Sequence, residues 1–250
     1  MSEEGAPIDA VEAERVEPAI EKRRGPVWDL PLRLFHWTLA LLIFGAWYTV
    51  ENDMLDWHIY IGTTILILLI FRLIWGFVGG STARFSQFFA GPSRIMSYLK
   101  DSKNWRGIGH NPLGSLSVWA LLGLTAFQVG LGLFSTDNDG LMEGPLAPLV
   151  SLDTTEAITD LHETMFNVLL AFIVLHIVAI LFYMVRGKNL VGPMVTGEGE
   201  VPEGTAPLVK ARWWVGLVAL VAAWVIVEFS LRPSWDVGFI IIFFAGGAGG

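Results

Sequence analysis

"LHETMFNVLLAFIVLHIV", residues 161–178, sets an imidazole near each end of an apolar run, His162 and His176, fourteen residues apart. The rest of the chain points to lipid as well. Of its 250 residues 53% are apolar and only 16% charged, too oily for a soluble domain of that length. Five apolar stretches, 34–50, 59–79, 115–134, 164–185 and 213–231, each approach the ~20 residues that a bilayer core requires. Lipid offers the backbone no hydrogen-bond partner, so these stretches are expected to be helices of an all-α integral membrane protein.

Residues 1–26 are acidic, charged throughout and lack the apolar centre of a secretory signal, which predicts a disordered cytoplasmic tail. The absence of cysteine excludes disulfides, iron–sulfur clusters and c-type haem attachment within the chain. A redox metal would therefore rest on histidine, methionine or oxygen. Nucleotide-binding glycine loops, a nucleophile with its base and nucleic-acid modules are all missing from the sequence.

Basic residues, Arg232 excepted, fall on one side once the five spans are drawn. Arg15, Lys22, Arg23, Arg24 and Arg33 come at or before the first span, and Arg72 lies near the end of the second. Arg84, Arg94, Lys100, Lys103 and Arg106 occupy the next loop, and Arg186, Lys188, Lys210 and Arg212 surround the last connection. The opposite loops contain Glu51, Asp53, Asp56, Asp137, Asp139, Glu143, Asp153, Glu156 and Asp160 with no lysine or arginine. The positive-inside rule then predicts a cytoplasmic N-terminus and a periplasmic C-terminus in a bacterial inner membrane.

Four of the five histidines, His36, His58, His162 and His176, sit in or at the edge of spans. Fourteen residues is just under four helical turns, so His162 and His176 share a face while standing about 21 Å apart along the axis. One metal cannot reach both. Given the helix directions, His58 and His162 lie near the outer face, and His36 and His176 in the inner half. Each pair can supply two axial imidazoles to one flat macrocycle, the bundle-core site expected of a haem. Zinc would require further ligands at the same depth.

"VWDLPLRLFHW" (27–37), "HIYIGTTILILLIFRLIWGFVGG" (58–80), "GHNPLG" (109–114) and "LHETMFNVLLAFIVLHIVAILFY" (161–183) resemble the bacterial cytochrome b561 family, which includes the cytochrome b subunits of nickel–iron hydrogenases. The resemblance runs from about Val27 to Lys188. It implies a four-helix bundle with two b haems, bis-histidine ligation by His36, His58, His162 and His176, and electron exchange with the quinone pool. A fifth span and the apolar tail "DVGFIIIFFAGGAGG" go beyond the family's usual four spans. The expected organisation is a tail at 1–26, a four-helix di-haem domain at 27–188 and a cytoplasmic linker at 189–211. A fifth transmembrane helix at 212–232 and an apolar periplasmic or interfacial tail at 233–250 complete it.

The neighbours of the histidines suggest further roles. Haem propionates need cationic or hydrogen-bonding partners. Arg33 and Arg72 are candidates at the inner depth, although snorkelling explains either arginine too. Gly62, one turn beyond His58, clears space for the outer macrocycle, or for a neighbouring helix. The outer group has no basic residue close by and would rely on water, Trp57, Asn52, Thr154, Thr155 or backbone N–H groups. Arg72 favours reduction of the inner centre and the acidic outer loops disfavour it at the outer one, so electrons are expected to pass inward.

Asn111 followed by Pro112 reads as a helix cap, and His110 as a candidate for proton exchange with a quinone. Gln128 and glycines 123, 130 and 132 suggest close helix packing. The fifth span has no ligand-grade residue except Glu228, which suggests a peripheral helix covering the bundle or docking a partner. The expected function is electron transfer between a periplasmic cytochrome or redox subunit, drawn to the acidic face, and membrane quinone. The alternatives are a stand-alone superoxide or metal reductase acting at the outer haem, and a transporter or assembly subunit with no haem.

Overall fold

The structure, a computed structural model, describes residues 22–101, 105, 107–137, 140, 142–205 and 207–231. Residues 1–21 of the expected tail and the apolar segment 233–250 lie outside them. Helix α1 spans Leu30–Glu51, α2 Leu55–Val78, α3 Phe85–Phe88, α4 Pro92–Lys100, α5 Pro112–Gly132, α6 Leu152–Val185, α7 Val191–Thr196 and α8 Trp213–Leu231. A two-stranded antiparallel ribbon joins β1, Lys22–Pro26, to β2, Glu198–Pro202, with Lys22 opposite Pro202. Helices α1, α2, α5, α6 and α8 are long and apolar enough to cross a membrane. Following the charge pattern, the end that carries the ribbon is termed inner.

Capping marks where the spans begin. The Asp29 side chain accepts from Leu32 N at 2.9 Å, with Pro31 in the first turn of α1. Asn111 does the same for Gly114 N at 2.7 Å, with Pro112 opening α5. Ser151 caps α6, and that helix begins twelve residues before the apolar stretch that predicts it. At 1.5 Å per residue its 34 residues extend about 51 Å, against a hydrocarbon core of ~30 Å. Its first turns, with Asp153, Glu156 and Asp160 exposed, continue the helix past the apolar zone at the outer end. A hydropathy window responds to lipid-facing residues and cannot register a helix that continues into water.

Helix α2 is the hub, packing against α1, α8 and α5, while α5 in turn packs against α6. The buried cluster lies at the inner end: Leu32 and Phe35 of α1, Phe71 and Trp75 of α2, Ala219 and Ala223 of α8, and Val201 of β2. Gly216, Ala219, Ala223 and Val227 are the buried residues of α8, and their small side chains bring its backbone close to α2. The fifth span, expected as a peripheral helix covering the bundle or docking a partner, shares the main buried cluster. Helix α6 is the opposite case, with only Thr155 and Leu169 buried.

Structure extends into two connecting segments. Lys22–Pro26, read from sequence as the end of a disordered tail, forms β1, and the linker at 189–211 contains α7 and β2. The driving contacts are backbone pairing and the burial of Val201, which is 2% exposed. The single ion pair on the ribbon, Lys22 to Glu200 at 2.9 Å, is solvent-exposed on both sides and is worth little.

Candidate functional site

At the outer end, His58 in the first turn of α2 faces His162 of α6, with ring centroids 6.2 Å apart and planes at 88°. Nδ1 of His58 lies 2.9 Å from the Ala46 carbonyl oxygen. Nδ1 of His162 lies 3.0 Å from the Gln128 carbonyl oxygen. A carbonyl can only accept, so each Nδ1 carries the hydrogen and donates it, which leaves each neutral ring a lone pair on Nε2. Two imidazoles that bind one metal from opposite sides at ~2 Å per bond bring their ring centroids to ~6 Å. The observed pair has that separation, that tautomer and the carbonyl support typical of ligating histidines. A Cβ on Gly62 would meet nothing within 4 Å, so space is open one turn from His58.

Helix α5 approaches this pair closely. A Cβ on Gly132 would lie 2.9 Å from Cε1 of His162, so a side chain there would push the ring. Gln128, one turn earlier, places Nε2 2.9 Å from the His162 carbonyl oxygen and 3.2 Å from its Nδ1. Packing alone, the reading from sequence, accounts for Gly132 but not for Gln128. The available signal was an amide in an otherwise apolar span, a costly residue in lipid.

At the inner end, His36 of α1 and His176 of α6 are near enough for their charges to interact. Nδ1 of His36 is buried with no hydrogen-bond partner among the described residues. Nδ1 of His176 has a long 3.4 Å contact to Ser117 Oγ. The two ends thus share a composition, two imidazoles each, and differ in the support behind the rings. Among the described residues no three histidine, cysteine or acidic side chains gather as a metal cluster. This donor set fits a metal whose remaining ligands come from a macrocycle.

Arg72 is 3% exposed, with its guanidinium 4.7 Å above the Phe85 ring. Asp29 is the carboxylate that acts on it. It stays a candidate for a propionate at the inner site. Arg33 donates from Nη1 to the Val195 carbonyl with its guanidinium against Gly197, while its Nε is buried with no hydrogen-bond partner among the described residues. The carbonyls at the C-terminal end of α7 draw it to the linker.

The outer polar candidates are engaged in helix ends. Asn52 donates to the Tyr48 carbonyl, Thr155 to the Ser151 carbonyl, and the Thr154 hydroxyl pairs with that of Ser151.

His110 packs on Trp28 with ring centroids 4.5 Å apart. Burial above all, then the positive charges of Arg72, His36 and His176, push its pKa down to about 3. It therefore stays neutral well below pH 6.5, where a histidine with its ordinary pKa gains a proton. It borders a cavity of about 410 Å³ lined also by Ser81, Thr82, Gln87, Arg94 and Trp105. A second, mostly apolar cavity of about 280 Å³ lies between α5 and α6, where Ser117 and His176 are its polar lining residues.

A helical membrane bundle with paired imidazoles at two depths has the build of an integral membrane cytochrome. The chain belongs to the prokaryotic cytochrome b561 family, whose model matches residues 27–197. It is similar to proteins described as "Probable Ni/Fe-hydrogenase B-type cytochrome subunit". The relative from Azotobacter chroococcum mcd 1 is 24% identical over 209 residues, 68% of this chain and 86% of the relative. The one from Rhizobium leguminosarum bv. viciae is 24% identical over 220 residues, 73% and 91% of the two chains. No solved structure matches. The chain is thus a multi-pass membrane protein of a b-type cytochrome family, a family that implies haem b and electron transport.

Proposed function

We propose that the chain carries electrons across a bacterial inner membrane as the cytochrome subunit of a larger redox complex, linking a periplasmic redox partner to membrane quinone. His58 and His162 would hold one b haem near the outer face, and His36 and His176 a second in the inner half. When bound, haem iron supplies one-electron chemistry, and the protein supplies position and electrostatics. The observation that carries the reading is the outer pair: two rings 6.2 Å apart, each donating Nδ1–H to a main-chain carbonyl.

The names of the relatives favour a hydrogenase-type partner. The outer end offers such a partner exposed acidic residues, Asp153, Glu156 and Asp160 among them, which attract a basic surface more weakly as salt rises. Carbonyl support behind both outer imidazoles raises their basicity and favours the oxidised state, whereas the charge of Arg72 favours reduction at the inner centre. Electrons therefore run inward. The cavity beside His110 is the candidate quinone site, with Arg94 and Trp105 as donors to carbonyl oxygens.

The test is haem stoichiometry and a redox titration of the purified full-length chain. Two haems per chain are expected, with His58→Ala or His162→Ala losing the lower-potential one and His36→Ala or His176→Ala the other. A single haem in the wild type, or variants that keep both, would refute the assignment. Turnover of superoxide or a metal chelate by the chain without a partner would favour the stand-alone reductase.

A further inference from the structure

Gln128 is an amide in the apolar span α5, 8% exposed. Its Nε2 donates to the main-chain oxygen of His162 at 2.9 Å and lies 3.2 Å from Nδ1 and 3.3 Å from Nε2 of the ring, close approaches that are not hydrogen bonds where Nδ1 carries the hydrogen and Nε2 is the ligand atom. Its own carbonyl takes the Nδ1–H of that ring at 3.0 Å. Its Oε1 is buried without a partner among the described residues. The orientation of the amide is nonetheless determined. Turned end for end, Oε1 would face the His162 carbonyl, acceptor against acceptor. The N–H end, the positive end of the amide dipole, therefore lies against the imidazole. With Gly132 making room for the ring one turn on, α5 meets His162 through the Gln128 amide, the Gln128 main-chain carbonyl and Gly132 while contributing no imidazole of its own.

We propose that Gln128 is a positioning residue for His162: its side-chain amide fixes the orientation of that ring and lowers the electron density the ring can offer. The inference rests on the reading of His58 and His162 as the outer ligand pair. A positive dipole end beside the ligand favours the electron-rich reduced state. Removing it makes the outer centre harder to reduce and loosens one restraint on the ring, while the Gln128 main-chain carbonyl still holds Nδ1–H.

The test uses the haem-loaded full chain with Gln128→Met and Gln128→Leu. The control is Thr125→Val, a buried position one turn earlier in α5 whose hydroxyl donates to the Leu121 carbonyl. Haem content, the g values of the low-spin ferric species and the midpoint potentials are measured, and His162→Ala identifies the outer haem. Both Gln128 variants are expected to keep two haems and to shift the largest g value of the outer one. Its reduction equilibrium should fall by up to tenfold, about 59 mV for a one-electron couple, with the inner haem and the control unchanged. Unaltered g values and midpoints with both haems present would overturn the proposal, as would a change confined to the inner haem. Loss of haem from both Gln128 variants but not from Thr125→Val would assign Gln128 a merely structural role and overturn it too. Retention of two haems by both His58→Ala and His162→Ala would instead refute the ligand reading beneath it.

Discussion

Replacing Asp29 with alanine removes one carboxylate and strands partners from three segments. The side chain is 5% exposed. It accepts from Leu32 N at 2.9 Å as the cap of α1, from Gly80 N at 3.0 Å, and from the Trp75 indole at 3.2 Å to both oxygens. Loss of the cap costs about 1 kcal/mol. The Gly80 amide and the buried indole are left without this acceptor at about 1–3 kcal/mol each. The sum is about 3–5 kcal/mol once the relieved desolvation of the carboxylate is set against it. Denaturant unfolding in detergent, followed by near-ultraviolet circular dichroism, reads this as a lower midpoint at unchanged slope. Asp29→Asn keeps an acceptor for the cap and should fall about halfway. Arg72 also loses its opposing charge, so the inner haem should become easier to reduce. A variant within about 1 kcal/mol of wild type, a small effect on the usual mutational scale, would refute this account of the network. A lower inner potential would refute its electrostatic half.

The pKa of His110 lies below its ordinary 6.5, at about 3, so its neutral form contributes stability that is complete above pH 6.5 and lost as the pH falls toward 3. His110→Phe should flatten that part of a stability–pH curve. Ala223→Leu, at a position with no exposure in the α2–α8 interface, should cost about 1–3 kcal/mol through overpacking. Val221→Leu, on an exposed part of the same helix, should leave the melting temperature unchanged. Gly132→Ala should displace the His162 ring and alter the spectrum of the outer haem while sparing the inner one. Lys22→Ala should change stability by less than about 0.5 kcal/mol, because its ion pair is exposed.

The spans were legible because a run of apolar residues long enough for lipid is a local property. Asn111–Pro112 was legible as a cap for the same reason, since cap and first turn are contiguous. The outer start of α6 was not, because Leu152–Leu161 is helical without being uniformly apolar. Arg33 illustrates a second kind of contact that sequence does not show. Its spacing from His36 suggests a propionate partner, and the structure adds a bond from its Nη1 to a carbonyl 162 positions away in sequence.

By itself the sequence determined the membrane class, the number of spans and the depths at which His58 with His162 and His36 with His176 stand, because hydropathy and helical rise are properties of a single helix. Which atoms back those rings was decided by tertiary structure alone. The Ala46 carbonyl, the Gln128 amide and carbonyl, and the gap at Gly132 reach the histidines across helix–helix contacts. So do the place of α8 against Trp75 and the grip of Asp29 on Gly80. Such contacts depend on how neighbouring helices are rotated and seated, and that information exists only once the helices have packed.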